Sequence, residues 1–150
     1  MGVEITPHGS YGPTMPNIPR PLRRIMFGLV SLSLILKGAK ILRLTTTGAK
    51  TGKEHTIPVR WFPDGNDAWL IVGSAGGAAK HPGWVFNLAR NPDKVWIEVD
   101  KRKIQVQPQS LKDAAYDKEW NRIVTEAPSF GAYKEKTDRL IPIIRLTPKK

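Results

Sequence analysis

The sequence predicts an antiparallel, barrel-like sheet decorated with helices, a mainly β chain of the α+β kind. Three observations carry this. Roughly six short runs either alternate apolar and polar residues with a period of two or are apolar throughout. Most of them are joined by short turns rich in Gly, Asp, Asn and Pro. Helical patterns interrupt the runs instead of alternating with every one of them, which fits a doubly wound parallel sheet poorly.

The elements follow in order. Residues 2–21 hold five prolines and three glycines with few large apolar groups, a composition that cannot order itself by burial, so residues 1–21 are expected to form a mobile arm. A single domain is expected over 22–150, led by a helix at 22–38 that carries Ile25, Leu29, Leu32 and Leu36 at helical spacing. Its apolar length falls short of the ~20 residues a bilayer span needs. It is read either as packed on the sheet or on a second subunit, or as resting through 22–37 on anionic lipid beside Arg23 and Arg24.

From Ile41 the period becomes two and runs through Thr47, and a turn at Gly48–Gly52 leads to a second strand at Glu54–Phe62. Pro63, Asp64, Gly65 and Asn66 form a turn before the apolar strand Ala68–Val72. Pro82 suits the first turn of a helix that runs to Arg90 and stops before Asn91 and Pro92. Val95, Ile97 and Val99 alternate, and Ile104 and Val106 resume after Asp100–Lys103, which predicts a hairpin. Ser110 followed by Asp113 resembles a capping box ahead of a helix with Tyr116, Trp120, Ile123, Val124 and Ala127 on one face. Pro128 ends that helix, Phe130–Arg139 is of mixed polarity, and Leu140–Leu146 closes the sheet.

The chain has 150 residues, room for one core, and 24 Lys and Arg against 13 Asp and Glu, a formal charge of +11. Such an excess attracts polyanions: nucleic acid, anionic lipid, or a cofactor with phosphate and carboxylate groups. Nucleic acid is not expected, because the aromatic residues fall mostly at core-like positions where no base could stack. The absence of cysteine excludes disulfides, thiolate metal sites and thiol nucleophiles. His8, His55 and His81 are scattered without helical pairing, so no metal is expected, and no Gly-x-Ser-x-Gly elbow supports serine hydrolysis. No apolar stretch of a signal peptide opens the chain, which gives the expectation of a cytoplasmic protein, membrane-associated if 22–37 rests on lipid.

Two loops offer chemistry. Gly48-Ala49-Lys50-Thr51-Gly52-Lys53 is no Walker loop, since three residues separate its glycines and a strand follows. A polar turn with Lys50 and Thr51 can nonetheless hold a phosphate or carboxylate, and an ordinary solvated hairpin turn is the competing reading. Ser74-Ala75-Gly76-Gly77 precedes a helix start, a natural anion or carbonyl site, or simply a turn. Trp84 and Asn87 would lie near that helix start. A basic sheet protein with such loops suits an organic cofactor that supplies the difficult chemistry.

At this point LTTTGAKTGKEHTIPVRW, VGSAGGAAKHPGWVFNLARNP and PSFGAYKEKTDRLIPIIRL, in this order and spacing, carry a resemblance to the deazaflavin-dependent nitroreductase family, over roughly Ile41–Leu146. The resemblance implies a split β-barrel of the flavin-reductase-like kind, often a homodimer, that uses reduced coenzyme F420 as hydride donor to a quinone, an α,β-unsaturated carbonyl or a nitro compound. It implies that Lys50 and Thr51 hold the cofactor's phosphate and acidic tail, with His55 where relatives commonly carry arginine and with Lys53 and Arg60 as further cations. Thr56, Ile57, Pro58 and Val59 would line the deazaflavin. Val72, Gly73, Ser74 and Ala75 would approach its ring, and Gly83, Trp84, Val85, Phe86, Asn87 and Phe130 would complete the contacts. Ser74 or Tyr133 would hydrogen-bond the acceptor, Tyr133 or water supplying the proton. FMN or a haem-type ligand in a similar barrel, and a non-catalytic anion- or nucleic-acid-binding module, are the competing readings.

Overall fold

The computed structural model describes residues 2–12, 19, 21, 22, 25, 26, 29, 32, 36, 38, 40–74 and 77–149. Among residues 40–74 and 77–149, six strands, β1 (Ile41–Thr47), β2 (Glu54–Asp64), β3 (Ala68–Val72), β4 (Trp96–Val99), β5 (Arg102–Ser110) and β6 (Ile143–Pro148), accompany three helices, α1 (Gly83–Arg90), α2 (Asp113–Glu126) and α3 (Pro128–Glu135). The strands close into an antiparallel barrel in the order β1-β2-β3-β6-β5-β4, with β1 and β4 completing the ring.

Two long strands hold it together. β2 pairs with β1 through residues 54–60 and with β3 through 61–64. β5 pairs with β4 through 102–105 and with β6 through 106–110. Each therefore belongs to two sheets, the arrangement of a split barrel.

The alternation of side chains along the strands sorts two cores. Leu42, Leu44, Ile71, Ile97, Val106, Ile144 and Leu146 fill the barrel interior with Val85 and Leu88 of α1. Phe62, Leu70, Val72 and Ile143 face outward and are covered by Tyr116, Trp120 and Ile123 from α2, Phe130 from α3 and Ala127 between them. β3 is buried on both sides, Trp69 and Ile71 inward and Leu70 and Val72 outward, which is why its sequence is apolar without alternation.

The strands and the helices α1 and α2 lie where the pattern predicts them, with shifted ends. β2 extends to Asp64, β5 runs from Arg102 to Ser110, and β6 begins at Ile143, beyond Leu140. The hairpin between β4 and β5 turns on two residues, Asp100 (φ 52°) and Lys101 (φ 64°), the left-handed pair of a two-residue turn that matches strand twist. The capping box is not formed. Ser110 ends β5 and its hydroxyl accepts the Glu4 N–H at 3.0 Å, while α2 starts at Asp113 without a side-chain cap. The mixed segment after Pro128 is helical as α3, with Pro128 in its first turn.

Residues 2–12, assigned by composition to a mobile arm, make long-range hydrogen bonds: Ser110 N–H to Gly2 O at 3.1 Å, Gly9 N–H to Ala79 O at 2.8 Å, and Ser10 N–H to the Asp138 carboxylate at 2.7 Å. In the expected leading helix, the described residues among 21–36 are helical; Leu22, Ile25, Met26, Leu29, Leu32 and Leu36 are all exposed, and none packs into a core of this chain. The remaining positions of 22–38 lie outside the described residues. Among the described residues no helix is long and apolar enough to cross a membrane.

Because β3 separates two cores, truncation on either face leaves a cavity. Leu70→Ala and Ile71→Ala are each expected to lower stability by about 2–5 kcal/mol, read as a shifted urea midpoint with unchanged slope. A loss under about 1 kcal/mol for either would show that its core collapses around the gap.

Candidate active site

The site begins with the hairpin turn between β1 and β2. Gly48 N–H bonds Lys53 O at 2.8 Å and Gly52 N–H returns to Gly48 O at 3.0 Å, a closed bend whose tip is Lys50 and Thr51. Thr51 Oγ1 accepts the Lys53 N–H at 3.2 Å. Gly48 lets the Thr51 and His55 side chains come close: a Cβ there would lie 2.5 Å from Thr51 Oγ1 and 3.1 Å from His55 Nε2. The bend is locked to α1 by Asn87, whose Oδ1 accepts the Ala49 N–H at 2.9 Å and whose Nδ2 donates to Thr46 Oγ1 at 3.0 Å.

Between this bend and the start of α1 lies a cavity of about 500 Å³ lined by His8, Gly48, Ala49, Lys50, Thr51, His55, Lys80, His81, Gly83, Phe86 and Asn87. That volume is within the ~300–1,000 Å³ usual for organic ligands. No carboxylate lines it, and none of the ion pairs among the described residues engages Lys50 or Lys80. α1 has neither a side-chain cap nor an acidic residue in its first turn, so its positive end is left to the cavity.

The opposite wall carries Lys80 and His81, and a buried arginine holds the stretch that leads to them. Arg139, 3% exposed, donates from Nη1 to Gly73 O at 2.9 Å, from Nη2 to Ser74 O at 2.7 Å and from Nε to Ala78 O at 2.9 Å. Its Nη1 also donates to His81 Nδ1 at 2.9 Å. A guanidinium can only donate, so His81 Nδ1 is an acceptor and the ring proton sits on Nε2, which donates to Thr6 O at 2.8 Å. Burial, with the Arg139 and His8 charges adding to it, holds His81 below its ordinary pKa, against the Thr6 bond that raises it.

The structure thus brings Lys50, Thr51, His55, Gly83, Phe86 and Asn87 of the expected residues around one cavity. It engages Asn87 in holding the bend as well as lining the space. The rest of the expected set lies elsewhere. Along β2, Ile57 and Val59 pack on the interior core, paired with Leu44 and Leu42, whereas Thr56, Pro58 and Arg60 have the opposite parity and face outward. The Arg60 guanidinium stands 5.2 Å over the Phe62 ring and 6.0 Å from that of Phe130.

Val85 is sealed in the interior and Trp84 packs against the same core. Val72 and Phe130 belong to the outer core, and the Phe130 ring meets the edge of Tyr133 at 5.6 Å. Gly73 and Ser74 offer their carbonyls to Arg139, and Ala75 lies outside the described residues. Tyr133 and Ser74 do not line the cavity. His8, Lys80, His81 and Arg139 went unassigned in the sequence. Only Lys80 and His81, beside the predicted helix start, sat where a signal could have been sought.

Comparison with known proteins gives the chain its relatives. Residues 26–148 match the family described as F420H(2)-dependent quinone reductase. The chain belongs to that family. It is 42% identical over 110 residues to an F420H(2)-dependent quinone reductase of Mycobacterium tuberculosis, covering 71% of this chain and 72% of that protein. A solved F420-H2 dependent reductase, FDR-A, superposes with a TM-score of 0.63 at 32% identity over 71% of this chain and 93% of that one. A second structure, a domain-swapped dimer, matches with a TM-score of 0.64 at 28% identity over 84% and 98%.

The His81 network predicts a pH dependence. With its folded pKa below the ordinary 6.5, the unfolded chain takes up this proton first as pH falls. The contribution is therefore nil above about 6.5 and destabilising below it. Melting temperatures at pH 7.5 and 5.5 are expected to fall less in His81→Gln than in the wild type; equal falls would remove His81 from the network.

Proposed function

We propose that the chain is an F420H2-dependent oxidoreductase that reduces a quinone, with α,β-unsaturated carbonyls and nitro compounds as further acceptors. The observation that carries this is the cavity at the β1–β2 bend, cationic on its walls and free of carboxylates among its lining residues, at the uncapped start of α1. The donor set fits an anionic cofactor: Lys50 and Lys80 supply charge, and the Thr51 hydroxyl and the His55 ring supply hydrogen bonds. F420 carries a phosphate and a carboxylate tail, and these residues would hold them. Bound there, the reduced deazaflavin supplies a hydride to the acceptor.

The chain's own part is positioning. From the cationic bend, the outward face of β2 continues through Thr56, Pro58 and Arg60 to Phe130 and Tyr133. Tyr133, half-buried on α3, would donate a proton to the acceptor oxygen, and Ser74, two residues beyond β3, would hydrogen-bond it. FMN in the same barrel is the competing reading, and titration with each cofactor separates the two. The exposed leucines along 22–36 give an apolar face for a second copy of the chain or for the lipid in which quinones dissolve. Sedimentation equilibrium and flotation with anionic vesicles distinguish these.

Anaerobic mixing with F420H2 is expected to show its reoxidation when menadione is supplied. Lys50→Ala should weaken cofactor binding by about tenfold and flatten its salt dependence. Tyr133→Phe should lower turnover by about 10²-fold and leave binding unchanged. No reoxidation with any quinone, enone or nitroimidazole would overturn the proposal.

A further inference from the structure

Residues 2–12 bring one residue, His8, to the cavity lining, and they precede the span 26–148 matched by the family. Their path is specific. His81 Nε2–H is accepted by Thr6 O, Gly9 N–H bonds Ala79 O, Ser10 binds Asp138 through backbone and hydroxyl, and Thr137 Oγ1–H bonds Tyr11 O at 2.7 Å. At Gly12 only glycine fits this seat, since a Cβ there would stand 2.6 Å from the Ala79 nitrogen and 2.7 Å from Gly77 O; one on Gly9 would press on Thr137 Oγ1 at 2.6 Å. Between these anchors His8 is turned to the cavity, its ring 5.6 Å from His81 and 5.8 Å from Phe86.

We infer that His8 is a binding residue for the anionic part of the cofactor, brought to it by the arm. It faces the same space as Lys50, Thr51 and Lys80, and its side chain has no hydrogen-bond partner among the described residues, so its ring nitrogens remain available to a ligand. His81 cannot serve in that way, because both its nitrogens are taken by Arg139 and Thr6. The arm thereby converts a groove between the bend and α1 into a pocket with a hydrogen-bonding group on each side. The recognised chemistry is a phosphate or carboxylate, and the inference rests on the cofactor reading.

The test is binding of oxidised F420 to the full chain, followed by its fluorescence and by calorimetry. It is repeated with the deazaflavin nucleoside-like precursor that lacks the phosphate and tail. His8→Ala is expected to weaken F420 binding by about tenfold and to change precursor binding by less than about twofold, while His8→Lys restores most of the F420 affinity. Gly12→Val, which unseats the arm without touching His8, should reproduce the His8→Ala loss. Wild-type binding of F420 with His8→Ala unchanged, or equal losses for F420 and the precursor, would overturn the inference alone. Failure of the wild type to bind F420 would overturn the cofactor reading and this inference with it.

Discussion

A single buried cation organises the functional end of the barrel. Arg139 lies in the chain just before β6 and is almost completely buried, yet it faces carbonyls and an imidazole instead of a carboxylate. Removing a guanidinium from water costs several kcal/mol, and only well-placed acceptors offset it. Burial lowers its pKa, but an arginine starts so far above neutrality that it stays charged. Its rigid planar fork therefore dictates where Gly73 O, Ser74 O and Ala78 O stand. Those three carbonyls belong to the segment that leads into α1, a helix without a side-chain cap to fix its own entry. Through His81 the same cation also reaches Thr6, so arm, loop and helix start share one anchor.

This explains what was legible in the sequence and what was not. Strands showed because period two is a local signal, and β3 was recognisable because burial on both faces leaves only apolar residues. β5 looked shorter than it is because Arg102, Lys103 and Gln107 point to solvent and carry no apolar alternation. α3 was hidden for a related reason: only Phe130 of its eight residues is buried, too little for a helical stripe. The capping box failed because the Ser110 hydroxyl is taken by Glu4, a partner 106 positions away that no spacing rule can foresee. Long-range hydrogen bonds equally decide the arm, whose Pro- and Gly-rich composition cannot order itself yet accepts a path laid down by Ala79, His81 and Asp138.

At the site, the bend was legible from its own residues and Gly83, Phe86 and Asn87 through the family resemblance, whereas His8, Lys80, His81 and Arg139 were not. A Gly-x-x-x-Gly turn with Lys and Thr at its tip is a local feature with local consequences. Asn87, expected as a ligand contact, has its amide oxygen and nitrogen engaged by Ala49 and Thr46, so it shapes the bend. The positive charge of the chain is likewise not uniform in meaning. Glu98, Asp64, Asp93, Glu119 and Glu4 each sit beside a cation, Arg43, Arg145, Lys149, Arg122 and Lys112 respectively. Lys50 and Lys80 share a cavity with no acid on its walls. The exposed ones among these pairs, at Glu98, Asp93 and Glu4, are worth little to stability, so the consequence of the excess lies mainly in the field at the cavity.

On the proposed reading, β2 divides the work. Its first residues belong to the bend and the cavity, while its outward positions Thr56, Pro58 and Arg60 lead away toward Phe130. A strand advances ~3.3 Å per residue, so about 16 Å separates His55 from Arg60. A group that anchors charge at one end and a surface that meets an apolar acceptor at the other can then be altered independently, because no side chain belongs to both. The helices make the same division: α1 and the arm enclose the cationic end, and α3 bears on the far end through Phe130 and Tyr133. A closed barrel allows this because both ends are referenced to one continuous strand, held in register by β1 on one side and β3 on the other.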